Sequence, residues 1–215
     1  MGALLVAGQW VIDDRRSDRE VQISSRQSEQ AERRENVRFV RDRSADERAP
    51  RPFAGMDLGH QNLAGLQMSS ADLRGAYLVG TRLDSAVLTG ANLTNAGLSG
   101  TTFTGANLRG ADLSCRDEPK FVACNGSAMG VRFVSADLAK SDLVDVNLSY
   151  ADLGDANLVE ANLRGARFFA AKLYAADLSG AIVSGTDFAG ACYDDLTRWP
   201  TEFTPPPPAD PRSCN

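Results

Sequence analysis

The sequence predicts an all-β solenoid, a short-stepped coil wound around a leucine interior, with a charged α-helix in front of it. Three observations carry this reading. From Phe53 onward a large apolar residue recurs at every fifth position. A small residue, most often alanine, stands two places before most of them, as at Ala71, Ala91, Ala106, Ala136, Ala156 and Ala176. Asp or Asn commonly fills the place between, and Gly or Ser commonly closes the block.

A period of five matches neither the 3.6 of a helix nor the 2.0 of a continuous strand. Within a block, however, the alanine and the large residue are two apart. On an extended segment both point to the same side, and the Asp or Asn between them points to water. Glycine at the block's end supplies a corner, because positive φ costs it little. A chain that turns toward the same side after each short extended step winds into a coil. Leucine then stacks on leucine inside, and successive coils lie about 4.8 Å apart as parallel strands. The core positions include Leu58, Leu73, Leu93, Phe103, Leu113, Phe133, Leu153, Leu173 and Phe188.

The blocks ADLRG (71–75), ANLTN (91–95), ANLRG (106–110), ANLRG (161–165) and ADLSG (176–180) resemble the pentapeptide-repeat family. The resemblance spans Phe53 to Tyr193. It implies a right-handed quadrilateral parallel β-helix with four blocks to a coil. Leucine-rich repeats, the obvious rival, have a longer period and a different spacing.

The repeat runs over 53–115 and 131–193 and is broken over 116–130, where Glu118, Ala123 and Ala128 occupy the core phase. Phe133 nonetheless falls on the original five-residue phase. Either one coil is irregular or a loop is extruded between two stacks. Pro119, Phe121 and Val122 would give such a loop an apolar tip and make it a candidate interaction loop, since insertions in repeat proteins often sit on a binding face. A tolerated insertion without a role is the alternative. After the last block, residues 194–204 with Tyr193, Trp199 and Phe203 form an aromatic C-terminal cap. The proline-rich tail, 205–215, reads as a spacer or a disordered end.

Residues 13–44 lack Gly and Pro and are rich in Arg, Glu and Gln, which predicts a helix. Within the segment 13–52, Val37 and Val40 lie one turn apart and could dock on the first coil as its cap. Ahead of it, residues 1–12 form an apolar run with Trp10, followed abruptly by Asp13, Asp14, Arg15 and Arg16. That is the pattern of a transmembrane helix leaving the bilayer, but it is far short of the roughly 20 residues that span one. It reads as the stump of a membrane anchor, left by a late start codon or a cut chain. A short apolar helix end that packs on a partner is the alternative.

Composition narrows the functions. The chain has 215 residues, 43% hydrophobic, with a net charge of −5, too mild to argue for nucleic acid as a partner. His60 is the one histidine, so a triad or multi-histidine metal site has no second candidate. No nucleophile with a base, phosphate-binding glycine loop or metal cluster is present, and neither enzyme activity, metal nor cofactor is expected. Cys115 with Cys124, and Cys192 with Cys214, are sequence neighbours but none forms a CxxC pair. Free thiols in a cytosolic protein are the plainer reading, and a disulfide in each pair is the alternative in an oxidising compartment.

These features favour a non-enzymatic protein-interaction scaffold held near a membrane by its N-terminal helix, in the cytoplasm or on the cytoplasmic face, with an extracytoplasmic face left open by the cysteines. The partner protein and the oligomeric state are not encoded legibly. The resemblance carries a second reading, because some proteins of that family mimic DNA and bind a type II topoisomerase such as gyrase. Reading every twentieth outward residue gives Asp72, Asn92, Asp112, Arg132, Asp152, Lys172 in one row, and Asp57, Tyr77, Gly97, Asp137, Asn157, Asp177 in another. Cations and bulky residues interrupt both rows, which counts against mimicry; an extruded loop would shift the second half.

Overall fold

A computed structural model describes residues 3–46 (side chains from 21), 51–115, 128–209 and 214. A single helix, α1 (Ala3–Ala45), precedes a solenoid of five-residue steps, each an isolated parallel bridge followed by a two-residue turn. The predicted helix thus begins ten residues earlier than its polar composition suggested and takes in the apolar segment.

Within each stack the bridged residues are twenty apart: Pro52 with Asp72, Asp72 with Asn92, Asn92 with Asp112. Four blocks therefore complete a coil, and the outward residues form four columns, one on each face. The first face carries Asp72, Asn92, Asp112, Asp142, Asn162 and Ile182, and the second carries Asp57, Tyr77, Gly97, Asn147, Arg167 and Asp187. The third carries Asn62, Arg82, Thr102, Arg132, Asp152, Lys172 and Cys192. The fourth carries Gln67, Val87, Asn107, Asp137, Asn157, Asp177 and Arg198.

Backbone hydrogen bonds explain the block. In 76–80 the Ala76 N–H closes the turn onto Leu73 O (3.0 Å). Tyr77 N–H donates back to Met56 O (2.9 Å), while Leu78 and Gly80 donate forward to Gly97 O and Ser99 O (2.9 and 3.0 Å). Four of five amides are thereby satisfied by turn or coil. The fifth, one place after the core residue, is taken by the outward side chain where that is Asp or Asn: Gly59 N–H donates to Asp57 Oδ1 (3.0 Å), Ser114 N–H to Asp112 Oδ1 (2.9 Å) and Ser179 N–H to Asp177 Oδ1 (2.9 Å). Asp and Asn recur because a short side-chain acceptor can satisfy an amide two residues on. Each block then ends at positive φ, as at Gly75 (62°) and Asn95 (59°), the backbone that a type II turn requires at its third residue.

The interior consists of the stacked large residues and alanines. Leu58, Leu73, Leu93, Phe103, Leu113, Phe133, Leu153, Leu173 and Phe188 are all buried. Phe103 stacks on Phe133 with ring centroids 5.0 Å apart, and Phe168 on Phe188 at 4.9 Å, close to the spacing of neighbouring strands. Where Thr replaces the buried alanine, its hydroxyl finds an acceptor: Thr81 Oγ1 donates to Leu58 O and Thr101 Oγ1 to Leu78 O, both at 2.7 Å.

Across the interruption the bridges span thirty residues, Thr102 to Arg132, Asn107 to Asp137 and Asp112 to Asp142. Ten residues are thus added to one coil without breaking the five-residue phase, and the rows read at a uniform spacing of twenty are corrected accordingly. Arg132, Asp152 and Lys172 leave the row of Asp72 for the third face, and Asp142, Asn162 and Ile182 replace them. Asp137, Asn157 and Asp177 leave the row of Asp57 for the fourth face, and Asn147, Arg167 and Asp187 take their place. The coil resumes at Ala128, buried in the second-face core column between Leu98 and Leu148. The loop candidates Pro119, Phe121 and Val122 lie outside the described residues.

Because coil stacking depends on continuous core columns, Leu153→Ala is expected to lower the unfolding free energy by about 3 kcal/mol, measured by urea denaturation of the purified chain.

Candidate interaction surfaces

The two ends and the four faces are the surfaces that could meet a partner. At the N-terminal end the last turns of α1 lie over the first coil. Val37, Val40 and Ser44 fall on one side of the helix and are buried, and the Phe39 ring meets the Phe53 ring edge-on at 6.1 Å. Polar side chains complete the closure. Asn36 Nδ2 donates to Asp57 O (3.3 Å) and an Arg41 guanidinium nitrogen to Asn62 O (2.9 Å). These two carbonyls sit where a preceding coil would otherwise supply donors. Arg33 adds a half-exposed ion pair to Asp57 (2.8 Å). Residues 21–32 of α1, by contrast, are exposed throughout, Val21 and Ile23 included.

At the C-terminal end Tyr193, Trp199 and Phe203 are each half-buried. Arg198 bridges to Asp177 after a step of twenty-one, so Trp199 reaches the fourth-face core position despite one extra residue. Its ring packs edge-on against Phe188 and Tyr193, both at 5.0 Å, and lies 5.5 Å from Phe203. Asp194 holds the preceding turn by accepting from the amides of Ala175 (3.0 Å), Leu196 and Thr197. Those bonds, the one from Ala175 foremost, hold its carboxyl below the usual range, while burial raises the Tyr193 phenol.

The proline-rich segment is corrected from a free tail: over 205–209 it lies against the last coil. Ala209 N–H donates to Ala191 O (3.1 Å) and the Tyr193 hydroxyl to Pro206 O. A disulfide joins Cys192, on the third face, to Cys214, and both are buried. Cys115 is also disulfide-bonded, and Cys124 lies outside the described residues. The plainer expectation of free thiols is therefore replaced by disulfides.

The faces differ. On the first, the column Asp72, Asn92, Asp112, Asp142, Asn162 contains no cation. Much of its polarity is turned inward on the turns, however. Arg74 hydrogen-bonds and pairs with Asp72 (2.7 Å) and so lowers the carboxyl's pKa. Asn162 Nδ2 donates to Asp142 Oδ1 (3.4 Å), and on the fourth face Asn157 Nδ2 donates to Asp137 Oδ1 (3.0 Å). At Asp177 burial raises the pKa, but bonds from Ser179 and Arg198 outweigh it and leave the group low. Among the described residues no group of three or more His, Cys, Asp and Glu side chains could hold a metal ion. No helix among them is long and apolar enough to cross a membrane.

This geometry defines a capped repeat solenoid, stiffened by coil-to-coil hydrogen bonds and closed by a helix at one end and an aromatic plug at the other. The model for pentapeptide repeats matches residues 53–90, 81–114 and 129–165, in 8 copies, and the chain belongs to that family. No curated protein sequence matches it. Similar solved structures include the pentapeptide repeat protein Rfr23 from the cyanobacterium Cyanothece 51142, at 20% identity over 64% of this chain and 90% of that one, TM-score 0.34. HetL, a pentapeptide repeat protein involved in heterocyst differentiation regulation from Nostoc sp. strain PCC 7120, is 27% identical over 66% and 72%, TM-score 0.29. QnrB1, a plasmid-mediated fluoroquinolone resistance protein, is 20% identical over 67% and 80%, TM-score 0.31. At such TM-scores these likenesses carry no argument about what this chain binds.

The disulfide joins two residues 22 apart in the sequence, one of them on the terminal coil. Replacing both partners, Cys192→Ser with Cys214→Ser, is expected to cost about 3 kcal/mol of unfolding free energy, read as a lower urea midpoint than that of the unreduced parent chain.

Proposed function

We infer that this chain is a non-enzymatic protein-interaction scaffold, a right-handed quadrilateral β-helix held near a membrane through the N-terminal part of α1. The observation that carries the reading is the division of labour along α1. Its last turns close the first coil, while residues 21–32 leave the solenoid exposed on all sides. A helix gains most of its stability from packing, so a long helix that leaves its own domain reads as a spacer with something at its far end. The apolar segment 3–12 supplies the chemistry for a lipid surface. Solenoids in turn offer rigid, regular surfaces suited to protein partners.

The cysteines favour the extracytoplasmic alternative for its location, since structural disulfides persist in oxidising compartments and are rare in the cytosol. The test uses the native gene in its own host. Membranes are washed with high salt and then alkaline carbonate, and the denatured protein is probed with a thiol-alkylating reagent. Retention through both washes with no alkylated cysteine is the expected result. Release into the soluble fraction removes the tether, and free thiols return the protein to the cytoplasm.

A second reading, DNA mimicry toward a type II topoisomerase, gains from the first-face column that runs from Asp72 to Asn162 without a cation. It loses by the disulfides, which fit poorly with a cytosolic enzyme as partner. If the scaffold reading is right, the purified protein leaves gyrase supercoiling unchanged at micromolar concentration. Inhibition there would reverse the ranking.

A further inference from the structure

The second face departs from the other three in what it leaves exposed. Of the six large apolar side chains that the described solenoid exposes, four belong to it or its trailing corner: Tyr77, Met129, Tyr150 and Phe169. Tyr150 and Phe169 are one coil apart, with Tyr150 N–H donating to Phe169 O (2.9 Å) and ring centroids 5.8 Å apart edge-on. Met129 precedes Gly130, whose N–H donates to Ser149 O, so it sits one coil below the pair.

Tyr150 is the informative member. It stands at a corner with φ of 61°, in a column that Gly80, Gly100, Gly130 and Gly190 share with His60 and Ala170, and where it is the bulkiest member. A β-carbon is disfavoured in that conformation, and a bulky ring more so. Burial does not compensate, because the ring is 58% exposed and its one aromatic contact, Phe169, is 49% exposed. Two other long residues at left-handed corners, Lys140 and Glu160, pair with each other (3.3 Å). Tyr150 has no such structural return, and a strained aromatic held at a surface is a reason to look for a ligand.

Cations flank the rings. Arg167 is on the same face, two residues before Phe169 with the buried Phe168 between them. Arg132 and Lys172 lie across the corner in the third-face column, one on either side of Asp152. None of the three has an ion-pair partner among the described residues, unlike Arg74, Arg82, Lys140 and Arg198. The nearby carboxylates are engaged with their own turns: Asp152 Oδ1 accepts from Gly154 N–H (3.3 Å) and Asp187 Oδ1 from Ala189 N–H (2.9 Å).

We propose that the corner built by Tyr150 and Phe169 is the docking surface for an acidic peptide segment of a protein partner. An apolar side chain of the segment packs on the two rings, and its carboxylates pair with Arg167, Lys172 and Arg132. Desolvated aromatic anchors ringed by complementary charge are the arrangement that concentrates binding energy. The proposal rests on the scaffold reading and names the surface that reading requires.

The experiment is a selection of displayed random peptides on the full-length protein, followed by binding of the enriched peptides to Tyr150→Gly, Phe169→Ser and Arg167→Glu. The expected peptides carry Asp or Glu beside an aromatic residue or leucine, and each substitution weakens them at least about tenfold. Tyr150→Gly is expected to leave the melting temperature unchanged or raise it, since glycine suits that corner; this separates lost binding from lost folding. Peptides that bind the three variants as well as the parent, basic peptides, or no enrichment at all would each overturn the surface assignment. The scaffold reading would survive those results and falls separately, if crosslinking in host membranes finds no protein on the solenoid.

Discussion

Every block of the solenoid depends on a corner residue held at positive φ, followed by a chain that returns to the extended conformation in register with the coil below. Five amides per block must find acceptors; the backbone assigns four in an inner coil, and the fifth has a side-chain acceptor where the outward residue is Asp or Asn. The turn takes one, the coil behind takes one, the coil ahead takes two, and the outward Asp or Asn takes the fifth, as at Asp57, Asp112 and Asp177. Unpaired buried amides are expensive, so this assignment fixes the step length at five and the polarity of the outward position together. The leucine interior then follows, because the only inward places left are the core residue and the one two before it.

A structure built this way is stable in its middle and exposed at its ends, where amides and carbonyls that point along the axis have no next coil. The two ends are closed by different chemistry. At the first coil a helix supplies side-chain donors, Asn36 and Arg41, to backbone carbonyls and inserts Val40 beneath the core. At the last coil the chain closes on itself. Trp199 completes a core column, Ala209 donates where another coil would, and the Cys192–Cys214 bond ties the covering segment down. The helical end leaves a long exposed arm over residues 21–32, whereas residues 194–209 fold back against the last coil, so the tether proposed for this chain belongs to the first.

How much of this was legible depends on which modulus a feature obeys. Leu58, Leu153 or Phe188 could be read as core because burial imposes one kind of residue on every fifth position. The faces obey a modulus of twenty, and an insertion of ten residues preserves the first while shifting the second. A uniform step of twenty therefore puts Arg132, Asp152 and Lys172 after Asp112, whereas the bridge from Asp112 to Asp142 puts Asp142 and Asn162 there. The single extra residue before Trp199 is opaque for a like reason, since it breaks the phase but not the column. The docking of 205–209 was hidden because prolines there carry no periodic signal, and the contacts that hold them are made by Tyr193 and Ala191, far away in the sequence.

Family and fold leave the partner open, as they do for any scaffold reused for many purposes, and the regularity of the repeat then becomes a filter. A residue that performs the structural task of its position says little about binding. The Asp and Asn columns are therefore weak evidence for a charged ligand site, however continuous they look, because each member already holds a turn amide. A residue that works against its position is different. Glycine would suit the corner at residue 150 better than tyrosine, and the exposed ring recovers little of what the backbone loses. In a fold whose local demands are known at every step, such departures are where selection for something other than folding becomes visible.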